Sequence, residues 1–519
     1  MTQALEKTRS YWIDSTPQTT YPSLESSLAV SVDVAIVGAG IVGLTAASLL
    51  KRAGKTVALI ESKHVAAGVS GHTTAKVTSL HQLIYADLIQ QIGEEKARLY
   101  AESNEAAIAH IASSVATEQI DCDFSRQSAF TYTELEDELD LIQKEVEAAL
   151  KLGLPATFVK ETSLPFAIAG GIRLDNQAQF HIRKYLLHLA QQIPGNNSYL
   201  FEHTRVQTIE EGSPCEIVTD RGVVHAQDVI VATNLPILDQ GLFFAKTYPK
   251  RSYIVGARID PSIAPEGMHI GIGDHYHSIR TTPYDGGLLL LVGGGGHKVG
   301  TKTNTQECYQ KLEAYVRDRF KLDTFEYRWS TQDMVSFDHL PFIGKLTPFN
   351  QHIYVATGFS LWGMSKGVMA GMLLSDLVQG NENPYAELYD ATRATPFLKP
   401  ELIKNGLDVA TRWVGDRFKG LQSSSLAELP KGEGKLLTLN DEKIAAYRDQ
   451  EGTVHAVSAV CPHLACIVNW NNAEKSWDCP CHGSRFSYDG EVLQGPSVKN
   501  LDQKIVNESR DHSMNEAIK

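Results

Sequence analysis

The sequence predicts a large α/β domain carrying an interleaved β-rich layer, followed by a small all-β domain. Three observations carry this expectation. A β-branched run, Val32–Val37, breaks at Gly38-Ala-Gly-Ile-Val-Gly43 and resumes as the helix-like stretch Leu44 to Ala53. Short β-type runs then recur between helical stretches as far as about residue 390. Beyond a segment rich in proline and serine, four of the seven cysteines fall within a stretch of short strand-like runs. At 519 residues the chain exceeds what one core supports, so two or three domains are expected.

In chain order, the first unit is strand, glycine turn and helix, closed by a second apolar run, Thr56 to Ile60, that stops at Glu61. That is a βαβ signature. Helical, polar-faced patterns follow from Gln82 to about Gln119 and from Leu135 to Leu152. Strand-type runs come next at Val223 to Thr233, Tyr253 to Asp260 and Gly287 to Val292. Residues 304 to 320 return to helical spacing. Ile353 to Ala356 leads through Gly358 and Gly363 into a helix reaching about Leu377. The Gly293 to Gly296 run precedes His297 and Lys298 rather than a helix, so it reads as a loop and not as a second dinucleotide turn.

Prolines 396, 400 and 430 and serines 423 to 425 mark the boundary, giving domains at 31–390 and 431–519 with a linker at 391–430. Within that linker Ile403, Leu407, Ala410, Val414, Phe418 and Leu421 share a helical face, expected to pack on the preceding domain. Lys435 to Leu439 and Lys443 to Arg448 read as strands of the last domain.

Composition narrows function. Apolar residues at 43% and charged residues at 21% exclude a disordered chain. A net charge of −13 offers no positive field for nucleic acid. No basic start leads into an apolar run, and no apolar stretch is long enough for an integral membrane segment, so a cytoplasmic protein is expected.

Cys461-Pro-His463 and Cys479-Pro-Cys-His482, fifteen residues apart, place thiolate and imidazole ligands in two pairs. Such a set holds either zinc or a 2Fe-2S centre with two Cys on one iron and two His on the other. The fuller loops, Cys461-Pro-His-Leu-Ala-Cys466 and Cys479-Pro-Cys-His-Gly-Ser484, resemble the Rieske family. The resemblance implies that Cys461 and Cys479 bind one iron, that His463 and His482 bind the other, and that Cys466 and Cys481 form a disulfide. A reducing compartment would instead leave that pair as buried thiols. Imidazole ligation raises the potential over an all-Cys centre. Ser484 is a donor to a cluster sulfur, but Phe486 stands where respiratory members carry a tyrosine donor, so a potential below theirs is expected.

Gly38, Gly40 and Gly43 in G-x-G-x-x-G order, with Glu61 at the next strand end, suit a dinucleotide: a tight turn, close approach to pyrophosphate, helix packing, and a ribose hydroxyl acceptor. FAD and NAD both satisfy this. Three further stretches resemble the D-amino-acid-oxidase-like (glycine/sarcosine oxidase) flavoproteins: Gly68-Val-Ser-Gly-His-Thr-Thr-Ala75; Asp228-Val-Ile-Val-Ala-Thr233; and Asp338-His-Leu-Pro-Phe-Ile-Gly344 followed by Tyr354-Val-Ala-Thr-Gly-Phe-Ser-Leu-Trp-Gly363. The resemblance implies an FAD-binding Rossmann-type domain with an interleaved β-rich substrate domain. It implies FAD contacts from Ser70, Thr73, Thr74, Val206, Ala232, Gly358, Gly363, Met364 and Lys366. It places Tyr253, Arg280 and Trp362, and less closely His277, around the substrate, with Arg280 the candidate for a carboxylate. Lys76 and His72 lie near the flavin loops.

A flavin takes two electrons as hydride and a Rieske cluster passes one at a time. The expected activity is therefore FAD-dependent oxidation of a small amine or amino-acid-like substrate, with electrons relayed through the cluster to an external acceptor such as a redox protein. The alternative is an electron-transfer or redox-sensing protein without small-molecule turnover; reversed flow from an external donor is also open. Rieske oxygenases put the cluster domain first and follow it with a mononuclear iron domain of two His and a carboxylate, a set that cannot be placed in this sequence.

Overall fold

The structure is a computed structural model that describes residues 8–273, 276–395, 426, 429–439 and 442–506. The proposed amphipathic stretch Ile403 to Leu421 lies outside the described residues.

The strand Val30–Val37 sits at the middle of an eight-stranded sheet, flanked in parallel by Val57–Ile60 and Val223–Val231. Its neighbours continue through Tyr199–Phe201 on one side and Ile353–Thr357 on the other, again in parallel. Helices on the faces bury such strands on both sides, which explains why they read as continuous apolar runs; Ala35, Ile36, Val229 and Ile230 have no exposed surface. The helix Ile41–Arg52 leaves the glycine turn and packs closely on the helix Gly363–Gln379. A Cβ at Gly371 would lie 2.6 Å from Thr45 Cβ, so the two backbones meet across small residues. The βαβ unit and the closing helix are thus one layer.

The β-rich layer is a nine-stranded sheet built on the long antiparallel strands Thr247–Ile259, Gly287–Lys298 and Tyr327–Ser336, with Gln306–Phe320 against one side. The Gly293–Gly296 run is a strand and not the expected loop. Gly293 and Gly294 pair with Ile254 and Tyr253, and that pairing overrides a loop-like composition. The helical stretch from Gln82 is Tyr85–Thr117, broken at Gly93 (φ +83°). The stretch from Leu135 is a short turn, Glu136–Glu138, followed by Leu139–Lys151.

The C-terminal domain holds two antiparallel sheets. One joins Gly434–Leu439, Glu442–Arg448 and Val454–Ser458; the other joins Asn469–Asn471, Ser476–Asp478, Arg485–Ser487 and Val492–Gln494. Trp477 and Phe486 form its buried centre. Among the described residues, no helix is long and apolar enough to cross a membrane.

Candidate functional site

The glycine turn opens one end of a cavity of about 860 Å³. Gly38 takes φ +105°, and a Cβ there would stand 2.7 Å from the Ala232 carbonyl oxygen. A Cβ at Gly43 would stand 2.0 Å from the Gly38 carbonyl oxygen, so the helix presses directly on the turn. Ser70 Oγ accepts from the Ile41 amide at 3.0 Å at the start of that helix. Glu61 is held by its own carboxylate, which accepts from the Ala39 and Lys63 amides, each at 2.9 Å. A helix N-terminus beside an oriented acid at the end of the second strand fits pyrophosphate and ribose.

At the opposite end, Trp362 precedes the helix Gly363–Gln379, whose first turn has no side-chain cap. Its free amides fit an oxygen that gains negative charge. Asp333, which sequence reasoning missed, fixes this approach: its Oδ2 accepts from the Leu361 amide at 2.7 Å and its Oδ1 from the Met334 amide at 2.8 Å. Burial pushes its carboxyl up to about 6.

Among the expected contacts, Gly38, Gly40, Glu61, Ser70, Thr73, Thr74, Val206, Ala232, Gly363 and Met364 all line the cavity, as do Tyr253, Trp362, His72 and Lys76. Gly43 lies behind the turn. Gly358, at φ +80°, packs against Phe342 and Ser336 outside the lining. Lys366 is buried in the first turn of that helix, donates to the His339 carbonyl at 3.3 Å, and burial pulls it down to about 7. His277 stacks on Tyr315 at 3.6 Å and does not line the cavity.

Arg280 is placed differently from the expected carboxylate clamp. Its guanidinium, 1% exposed, is spent on the Thr74 (3.0 Å), Ala75 (2.7 Å) and Thr281 (3.2 Å) carbonyls and lies over Trp12. Trp12 in turn donates to the Thr73 carbonyl at 2.7 Å. Arg280 therefore braces the Thr73–Thr74 loop. Tyr253 bonds His297 Nε2 at 3.0 Å, and Trp362 lies against His81 at 4.8 Å.

The second centre lies between two loops tied by a Cys466–Cys481 disulfide. Cys479 Sγ lies within 4.8 Å of both disulfide sulfurs, but the bond between those two leaves them unable to act as thiolate ligands. Cys461 and Cys479 remain as buried thiols, and the neighbouring Cys479 thiol pulls Cys461 down to about 7. The rings of His463 and His482 stand 5.0 Å apart at 89°, and the Nδ1 atoms of both are buried without a hydrogen-bond partner. Burial pulls His482 down to about 3, keeping it neutral. Two thiols and two orphaned imidazole nitrogens are the donor set a Rieske cluster needs. The Ser484 hydroxyl reaches Cys461, and Phe486 is wholly buried.

This centre abuts the first domain. His463 Nε2 bonds Asp239 Oδ1 at 2.9 Å, and Phe244 meets His482 edge-on at 5.1 Å. Gln332, a cavity-lining residue, donates from Nε2 to the Gly483 carbonyl at 2.8 Å. Beside it a cluster of four charges, Arg251 and Asp478 buried and Glu474 and Arg485 partly so, spans the domains: Arg251 meets Glu474 (3.1 Å) and Asp478 (3.3 Å), and Arg485 meets the same two acids. Single residues of this kind, scattered along strands, carry no spacing signal in the sequence.

The cluster gives a pH dependence. Burial pushes the Asp478 carboxyl up, but Arg485 and Arg251 outweigh it and hold it down to about 2. The unfolded value is about 3.9, so this stability is complete above about pH 5 and is lost as pH falls through the folded value. The unfolding free energy is expected to fall by about 2 kcal/mol over that window, read by tryptophan fluorescence in urea. Asp478→Asn should flatten the slope, and an unchanged slope in that variant would rule out the assignment.

Comparison with known proteins agrees with both centres. Residues 33–377 match the FAD dependent oxidoreductase family, and residues 422–505 match the Rieske [2Fe-2S] domain. The chain is 38% identical over 505 residues to the Rieske 2Fe-2S iron-sulfur protein YhfW of Bacillus subtilis (strain 168), covering 96% of this chain and 98% of that one. It is 23% identical to gamma-glutamylputrescine oxidoreductase of Escherichia coli (strain K12), over 71% of this chain and 87% of that one. The crystal structure of glycine oxidase from Geobacillus kaustophilus superimposes with a TM-score of 0.60 at 19% identity, covering 70% of this chain and 99% of the other.

Proposed function

We propose, from the premise that the chain belongs to the FAD dependent oxidoreductase family and ends in a Rieske [2Fe-2S] domain, that it oxidises a small amine or amino-acid-like substrate and relays the electrons singly through the cluster to an external acceptor. FAD supplies hydride acceptance, and the cluster supplies one-electron transfer. The observation that carries the reading is Gln332. It lines the FAD cavity and bonds the carbonyl of Gly483, the residue after the cluster ligand His482. The relatedness to glycine oxidase and gamma-glutamylputrescine oxidoreductase supports the amine class.

The chain's own residues bound and orient. Tyr253 and Trp362 form aromatic walls of the cavity, Arg280 and Trp12 hold the Thr73–Thr74 loop, and Asp333 holds Leu361 at the mouth of the closing helix. Positioning of this kind is what a hydride transfer requires of the protein.

The test is an anaerobic visible and EPR titration with pooled amines, N-methyl amino acids and amino acids. The expected result is loss of flavin absorbance followed by a reduced Rieske signal. Reduction of both centres by dithionite alone would overturn the amine reading and favour a carrier or sensor without turnover.

The Asp239 carboxylate places negative charge on the Nε2 side of His463 and favours the oxidised cluster. The carboxylate is 49% exposed, so a pair of this kind is worth about 0.5 kcal/mol, and about 1.4 kcal/mol corresponds to about 59 mV for one electron. Asp239→Asn is expected to raise the midpoint potential by about 20 mV in an EPR-monitored titration. A potential unmoved by the change would mean that this contact does not tune the cluster.

A further inference from the structure

The cavity is not a property of the first domain alone. One wall carries the glycine turn, Glu61 and Arg205. The same lining includes, from the C-terminal domain, Glu474, Arg485 and all of the segment 493–498 but Pro496. Arg205 reaches across to the Val492 carbonyl at 3.4 Å. The ribose-binding acid thus sits on a wall of the same cavity that the second domain completes.

Besides Arg205 on Val492 and His463 on Asp239, the docking that brings this wall into place is held at two further, separated points. The inner one is the four-charge cluster around Arg251, whose side chain is 1% exposed, together with Gln332 on Gly483. The outer one is Asn472, whose Oδ1 accepts from the Thr305 amide at 2.9 Å and from the Thr305 hydroxyl at 2.8 Å. Opening this contact is costly because Arg251 loses both of its acids at once, while Glu474 and Asp478 keep Arg485 within the C-terminal domain.

We propose that the C-terminal domain is part of the FAD-binding site: its Arg485 and 493–498 segment close over the cofactor, and FAD enters or leaves only when this domain undocks. By linkage, bound FAD holds the domain docked as the docked domain holds FAD. The inference does not depend on the substrate or on electron flow, so it can fail while the relay stands, and the reverse.

The test is the rate of FAD release from the full-length holoprotein after dilution, followed by the rise of free-flavin fluorescence. The variants are Arg251→Met at the inner point, Asn472→Ala at the outer point, and Asp449→Ala as a control. Asp449 caps a hairpin of the C-terminal domain through the Gly452 and Thr453 amides, away from the interface. Release at least tenfold faster in Arg251→Met and Asn472→Ala, with the Rieske EPR signal retained and Asp449→Ala at the wild-type rate, is the expected result. Wild-type release in both interface variants overturns the proposal, as does equal acceleration by Asp449→Ala. Should Arg251→Met fail to assemble its cluster, Asn472→Ala decides.

Discussion

Gly43→Ala is expected to strip FAD from the protein. The new Cβ would stand 2.0 Å from the Gly38 carbonyl oxygen and 3.3 Å from Ile36 Cγ2. The first of these is a backbone atom in the turn and cannot swing aside as a flexible side chain would. Relief requires the helix Ile41–Arg52 to draw back from the strand Val30–Val37. The other face of that helix is already closed by Gly367 and Gly371, where added Cβ atoms would stand 2.7 Å from Ile41 Cγ2 and 2.6 Å from Thr45 Cβ. The helix is pinned on both sides. A cost of about 3 kcal/mol or more falls on the turn proposed to receive the pyrophosphate, which weakens binding on the order of 100-fold. The ratio of flavin to protein absorbance in the purified variant and the Kd for added FAD measure it. Stoichiometric FAD at wild-type affinity would mean that the turn does not receive the cofactor.

The glycine turn was legible because its chemistry is local. Gly38, Gly40, Gly43 and Glu61 lie within one strand, turn, helix, strand unit; close backbone approaches demand Gly38 and Gly43, and the Glu61 carboxylate is held by amides of the same unit. The cluster loops were legible for the same reason: Cys461, His463, Cys479 and His482 sit in two tight turns at fixed spacing, and the Cys466–Cys481 bond joins those turns. Arg280 reads wrongly from sequence because its role depends on which carbonyls a nine-stranded sheet brings to it from residues 74 and 75. Its charge makes it resemble a ligand clamp, and only the fold shows it occupied. The Gly293–Gly296 run misleads in a similar way, since glycines mark a loop unless a partner strand such as Thr247–Ile259 claims their backbone. The residues that join the domains leave no pattern at all. Arg251, Ser330 and Gln332 sit on ordinary strands, and their partners Glu474, Asp478 and Gly483 lie some 150 to 220 residues later.

Cys461→Ala should separate the two centres. The side chain removed is one of two buried thiols between the disulfide-tied loops, and the His463 and His482 Nδ1 atoms cannot hold a cluster in its absence. Complete loss of the Rieske EPR signal is expected. The domain retains its disulfide and the core around Trp477 and Phe486, so the flavin band persists. In the proposed relay, substrate still bleaches the flavin at close to the wild-type rate, because Tyr253, Trp362 and Asp333 are untouched. Reduction of a one-electron acceptor should fall on the order of 100-fold, since the path beyond Gln332 and Gly483 now ends without an electron carrier. Single-turnover bleaching and steady-state acceptor reduction, measured on one preparation, separate the two steps. Acceptor reduction at the wild-type rate would place the exit of electrons at the flavin itself and leave the cluster outside the catalytic path. Loss of bleaching together with acceptor reduction would mean that the cluster domain is needed to form the substrate site, a result that the shared wall of Glu474 and Arg485 would then have to explain.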